Sequence, residues 1–171
     1  MSLRIRPATE VSVATLYALF EGVYASTDGM CETLAEKFGG LPGFPAYLAD
    51  IASRPGGRVL VAEDAGTLLG YLTLTPRRPA KLAHTADLSM GVRAAARGRG
   101  IGKALLAAAM TQASPPLEIL YLMVRADNAA ALRLYAAAGF ETLARLEKDT
   151  RIGTQHHDGL LMRAWVGELR A

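Results

Sequence analysis

The amino-acid sequence predicts a mixed α/β fold with about seven strands flanked by helices. Three observations carry it: short β-type runs bounded by turn residues, apolar residues at helical spacing between those runs, and a strand, a glycine-rich turn and a helix in succession past the middle of the chain.

Residues 3–6 alternate and stop at Pro7, which makes a short first strand. Thr9 is placed to cap a helix whose apolar residues Val13, Leu16, Tyr17, Phe20 and Tyr24 recur on one face, and residues 26–29 break it. The next segment sets helical stretches at 32–38 and 47–51 around a Gly/Pro-rich break at 39–45. Residues 58–63 and 68–74 are β runs around Asp64-Ala65-Gly66, the mark of an antiparallel hairpin. A long strand spans 84–92. Residues 97–102 then lead into a helix with Ile101, Leu105, Ala108 and Ala109 on its buried stripe, ending before Pro115-Pro116. Residues 119–124 form a compact apolar strand, and Asn128 caps a helix with Ala131, Leu134, Tyr135 and Ala138 on one face, closed by Gly139. Two final strands, 140–146 and 160–166, are joined by a polar connection at 151–158.

A length of 171 residues suits one domain, spanning residues 1–171. Half of the residues are apolar and a fifth charged, which is the balance of a globular chain rather than a disordered one. The longest small-apolar run, 104–110, is far short of a membrane span, and the N-terminus lacks the apolar stretch of a signal peptide, so a cytoplasmic protein without a membrane partner is expected. Cys31 is the lone cysteine, which excludes an intramolecular disulfide and a Cys-based zinc site. With no base suggested beside it, Cys31 reads as a small, semi-buried residue rather than a nucleophile. The net charge of +3 is mild, and the crowding of Arg between Arg93 and Arg99 points to a local anionic ligand; no nucleic-acid partner is called for.

That ligand has a natural seat. A helix N-terminus presents unsatisfied N–H groups and partial positive charge, and glycines before it let the backbone approach a phosphate closely. Gly98, Gly100 and Gly102 supply the approach, while Arg97, Arg99 and Lys103 add mobile positive charge around it, a set suited to a diphosphate. A Walker-type loop would need Gly where Arg97 stands and Ser or Thr where Ala104 stands. A dinucleotide fingerprint would need Gly in place of Lys103, near the start of a βαβ unit.

The pattern that fits is Arg/Gln-x-x-Gly-x-Gly/Ala after a strand, met by Arg97, Gly100 and Gly102. It resembles the acyl-CoA signature of the GNAT superfamily of N-acyltransferases. Ile5 through Thr9 is similar to that family's opening strand and turn, and residues 124–128 with Leu134-Tyr135 and Gly139-Phe140 are similar to its second motif, so the resemblance covers nearly the whole chain. It implies a mostly antiparallel central sheet and an acetyl-CoA-dependent N-acetyltransferase that needs no metal. It also implies that the backbone of Met90 and Val92 holds the pantetheine arm. The amides of Gly98, Arg99, Gly100, Ile101, Gly102 and Lys103 would hold the pyrophosphate, Asn128 would touch the cofactor near its pantetheine, and Tyr135 would lie close to the sulfur.

Forming an amide from a thioester requires a neutral amine and a proton donor for the leaving thiolate. Tyr135, protonated near neutral pH, is the donor of choice, although an aromatic residue on an apolar helix stripe is also a core position. The base is left among His84, Asp87 and water. His156-His157-Asp158 reads as a solvated loop rather than a metal site. The acceptor pocket is expected from residues 27–48 and the connection 151–158, with Asp28, Glu32 and Glu36 either drawing an ammonium or forming a solvent face. The tail from Phe140 to Met162 resembles GNAT enzymes that acylate amino acids or other small amines. The expected acceptor is therefore a small primary amine or amino acid attacking directly in a ternary complex, with a homodimer left open. A protein N-terminus or lysine as acceptor, and a non-catalytic acyl-CoA sensor, are the alternatives.

Overall fold

In a computed structural model, which describes residues 2–113 and 115–167, seven strands form one sheet in the order β1-β2-β3-β4-β5-β7-β6. These are β1 (Arg4–Pro7), β2 (Arg58–Asp64), β3 (Thr67–Pro76), β4 (Thr85–Val92), β5 (Ile119–Arg125), β6 (Glu141–Ile152) and β7 (Gln155–Trp165). Every neighbouring pair is antiparallel except β4 and β5. Five helices accompany them: α1 (Val13–Tyr24), α2 (Leu34–Phe38), α3 (Phe44–Ser53), α4 (Ile101–Gln112) and α5 (Ala129–Ala137).

Strand alternation divides the apolar residues between two cores. On β2 and β3, Leu60, Ala62, Leu72 and Leu74 point toward α4, where Ile101, Leu105, Leu106 and Ala109 are buried. Val61, Leu68 and Tyr71 point the other way, toward Leu16, Leu19, Phe20 and Val23 of α1 and toward Phe38 and Phe44. With both faces covered, β3 reads as an almost unbroken apolar run rather than an alternating one.

Several local expectations need correction. Ser12, not Thr9, caps α1, accepting from the Thr15 amide at 3.2 Å, because residues 8–10 already form a 3₁₀ turn. Val13 stays exposed, and Leu19 and Val23 take buried places on α1; on α4, Leu106 is buried while Ala108 is only partly so. The polar connection at 151–158 is not a loop: β6 runs on to Ile152 and β7 begins at Gln155, because the backbone ladder continues although its side chains are polar. A polar, alternating hairpin tip carries no apolar signal to distinguish it from a loop. The hairpin that the sequence predicts around Asp64-Ala65-Gly66 turns on Ala65 and Gly66 alone, with φ of 48° and 79°, because Asp64 still pairs with Thr67.

Candidate active site

The site begins where the sheet comes apart. β4 and β5 pair only at Thr85↔Ile119, Ala86↔Leu120 and Asp87↔Tyr121, and beyond that the two strands diverge. The gap is a cleft of about 850 Å³, walled by Leu88 to Val92 of β4, Tyr121 to Arg125 of β5, Leu134 and Tyr135 of α5, Gly102 of α4, and the segment from Thr27 to Glu32.

The divergence leaves backbone groups without strand partners. The Arg93 amide donates to Leu69 O at 2.8 Å, so alternation turns the amides of Met90 and Val92 away from β3 and toward the cleft. On β5, Val166 N donates to Glu118 O and Ala126 N to Asp158 O, which by the same alternation aims the groups of Tyr121 and Met123 at the cleft from the opposite wall. A ligand strand could pair with either edge.

At one end of β4 lies the glycine turn. Gly98 and Gly100 adopt φ of 75° and 78°, and a Cβ added at either would meet nothing within 4 Å, so the turn is open to solvent. Gly100 is the cap of α4. Gly102 faces the cleft, where an added Cβ would sit 3.1 Å from Leu134 Cδ2 and 3.2 Å from Met90 Cε. Ile101 turns its side chain fully into the core, leaving its amide as the group available at the helix start. Lys103 is exposed, and Arg99 reaches Asp64 Oδ2 at 3.3 Å.

Arg97 differs from the sequence expectation of a mobile charge. Its Nε donates to Val92 O at 3.1 Å, and its other nitrogens donate to Ser26 O and Oγ at 3.2 and 2.8 Å, which ties the end of β4 to the end of α1. The fork geometry of guanidinium suits that bracing.

Tyr135 lies on the cleft wall and is 8% exposed, with its ring against Phe140; burial pushes its hydroxyl up to about 12. Asn128 lines the cleft and caps α5, its Oδ1 accepting from Ala131 N at 3.1 Å. Of the candidate bases, Asp87 lines the cleft but is gripped by Arg77 at 2.8 and 3.2 Å. His84 precedes β4, where its carbonyl accepts from Glu118 N and Ile119 N; it lies outside the cleft wall.

A charged cluster that the sequence reading missed closes one side. Arg125 donates to Asp127 at 2.6 and 2.9 Å and lies 3.1 Å from Asp28 Oδ2, while His157 Nδ1 approaches Asp127 at 3.2 Å. The hydrogen bonds from Arg125 hold the Asp127 carboxyl down at about 2. His157 and Asp158 are thus engaged rather than solvated, Asp158 by the Lys148 amide and Arg145. Residues 151–158 do not line the cleft; residues 27–32 and Lys37 do. Asp28 and Glu32 form ion pairs there, and Glu36 belongs to the capping box of α2. The Asp28–Arg125 pair joins distant segments and leaves no spacing signal in the chain, whereas the Thr33–Glu36 capping box has the Thr-x-x-Glu spacing that marks a helix start. Cys31 is exposed on the same wall, against the expectation of partial burial. Among the described residues no His/Cys/Asp/Glu group is arranged to hold a metal ion, and no helix is long and apolar enough to cross a membrane.

Known proteins resemble this chain in sequence and in fold. The L-amino acid N-acetyltransferase AaaT of Escherichia coli is 28% identical over 127 residues, covering 73% of this chain and 76% of that protein. The solved ribosomal-protein-alanine N-acetyltransferase of Brucella melitensis superposes with a TM-score of 0.82 at 32% identity, covering 95% of this chain and 99% of the other. A GNAT superfamily phosphinothricin acetyltransferase of Sinorhizobium meliloti, solved in complex with acetyl-CoA, has the same fold, with a TM-score of 0.80 at 20% identity over 98% of this chain and 90% of its own. The family model for acetyltransferases of the GNAT type matches residues 27–140, which takes in the splayed strands, the glycine turn, Tyr135 and Phe140. The chain belongs to the GNAT family of acetyltransferases.

Proposed function

We propose that the protein transfers an acetyl group from acetyl-CoA to the primary amine of a small molecule, an amino acid among them, by direct attack in a ternary complex. The observation that carries this reading is the unpaired cleft edge of β4 running into the glycine turn and α4, with Tyr135 on the wall of the same cleft.

The residues fit the donor. The Met90 and Val92 amides can pair with an extended amide-bearing arm as an added strand would. The amides from Gly98 to Lys103, opened by two left-handed glycines, can surround a diphosphate, with Lys103 and Arg99 nearby. Arg97 acts as the brace that fixes this turn against β4 and α1. Asn128 fixes the start of α5, which carries Tyr135.

Acetyl-CoA supplies an activated acyl group: the acceptor nitrogen bonds to its carbonyl carbon as the C–S bond breaks, giving an N-acetyl product and the thiol of CoA. Tyr135 holds the proton that the departing sulfur takes, and its raised pKa keeps that proton in place through the neutral range. The proton lost by the acceptor nitrogen passes to water in the cleft, with Asp87 on the wall as a secondary acceptor. Solvent then restores the Tyr135 hydroxyl.

In a thiol-release assay with acetyl-CoA and an amine panel, Tyr135→Phe is expected to lower kcat by about 100-fold or more. CoA binding measured by calorimetry stays near the parent value. A variant with parental kcat removes Tyr135 from the reaction, and absence of CoA binding by the parent protein overturns the assignment of the donor.

A further inference from the structure

The cleft wall carries Tyr24, Glu32, Lys37, Arg77, Asp87 and Ser89, with Glu32 and Lys37 forming a lobe at α2. Two cations and two carboxylates face the cleft as matched pairs. Lys37 Nζ lies 2.6 Å from Glu32 Oε1, and Arg77 grips Asp87. Lys37 is drawn well inward: its side chain is 19% exposed and its ammonium lies 6.0 Å from the centre of the Tyr47 ring. Burial disfavours its charge, and Glu32 together with the neighbouring Tyr24 and Tyr47 more than offsets that, leaving the ammonium pKa above its ordinary value.

Behind this lobe stands an unsatisfied group. Tyr71 is 1% exposed, its ring stacked on Phe20 at 3.7 Å, and its hydroxyl has no hydrogen-bond partner among the described residues. The side chains beside that hydroxyl are Tyr24 and Ser89, both on the cleft wall. The Tyr71 hydroxyl lies off the cleft wall and backs these two side chains, leaving Tyr24 and Ser89 as the hydroxyls that face the cleft. Ser89 is one residue along β4 from Met90, so this lobe adjoins the strand edge assigned to the donor.

We infer that Lys37, with the Tyr24 hydroxyl on the same cleft wall, reads a free carboxylate beside the acceptor amine, so that the acceptor is a zwitterionic α-amino acid rather than the amine of a protein. The inference rests on the acetyltransferase reading above and assigns its specificity. A zwitterion can enter by exchange: its carboxylate takes the place of Glu32 at Lys37, and its ammonium takes the place of Lys37 at Glu32 before giving up its proton. Every charge in the half-buried space stays matched. An amine lacking the carboxylate brings one unmatched charge.

The test is steady-state thiol release with acetyl-CoA on matched acceptors: free α-amino acids, the corresponding α-carboxamides, and short peptides with free N-termini. The parent protein is expected to favour acids over carboxamides in kcat/KM by about 10- to 100-fold. Lys37→Met and, separately, Tyr24→Phe bring that ratio toward one through KM for the acid, while KM for acetyl-CoA, which general damage to the fold would raise, is followed in parallel. Lys37→Arg restores part of the preference. Equal use of acids and carboxamides by the parent, preferential use of peptides, or a ratio that survives in both variants overturns the inference. If no acceptor is turned over, it is the catalytic reading that fails, and calorimetry on the CoA-loaded protein decides the carboxylate site by itself. Heat with the acid, little with the carboxamide and little in Lys37→Met upholds it; no heat with any acid overturns it.

Discussion

Tyr135 serves packing and, in the proposed reaction, chemistry through one side chain. Its ring fills a place in the core beside Phe140, and its edge reaches the cleft. Burial that suits packing also holds the hydroxyl at about 12, which makes it a retained proton rather than a phenolate at working pH. The alkaline limb of the kcat profile is therefore expected to carry no tyrosine ionisation near 10. For stability the sign is fixed: the folded state keeps the proton above the pH at which the unfolded chain, near 10, has lost it. The contribution is fully present below pH 10 and is lost as pH rises toward 12, amounting to about 2–3 kcal/mol by then. Thermal melts across that window should show a falling Tm in the parent and a shallower fall in Tyr135→Phe. An equal fall in both would place the alkaline loss elsewhere, with the buried Tyr71, whose pKa is also raised, the next residue to test.

At the scale of elements, the cleft exists because β4 keeps its partner on one side only. β3 supports β4 along its full length, while β5 leaves after Asp87 and Tyr121. Arg97 then holds the free end of β4 to the end of α1 through Val92 and Ser26. Arg97→Ala should loosen both elements, lowering Tm by about 2–4 °C and weakening CoA binding even though no phosphate contact is assigned to this side chain. Arg97→Lys, which keeps the charge and loses the fork, should resemble Ala. Recovery of full CoA binding by Lys would mean that charge, not bracing, is what Arg97 supplies.

For the whole molecule, two cores on opposite faces of one sheet keep the splayed strands apart without closing the gap. Leu105 is fully buried between α4 and the sheet. Leu105→Ala should cost about 2–5 kcal/mol, read as a lower urea midpoint at constant m-value. Because α4 also carries the glycine turn at its head, the same variant should bind CoA more weakly. A loss of stability with unaltered CoA affinity would show that the turn is held by local hydrogen bonds alone.

The chain by itself determined the order of elements, the hairpin at Ala65-Gly66, the position of the glycine turn before α4, and Tyr135 on a stripe ending at Gly139, because each is written in contacts between residues close in sequence. Periodicity could not decide which buried residues share a core, as on α1, where Val13 is exposed and Leu19 is not. It also missed the extension of β6 and β7, where polar side chains sit on a continuous ladder. Only the tertiary structure decided that β4 and β5 part company, that Arg97 braces rather than roams, and that Tyr24, the Glu32–Lys37 pair and Ser89 from three separate segments meet at one cleft wall. Those outcomes depend on pairings between residues tens of positions apart, set by strand register and packing, and no local pattern encodes them.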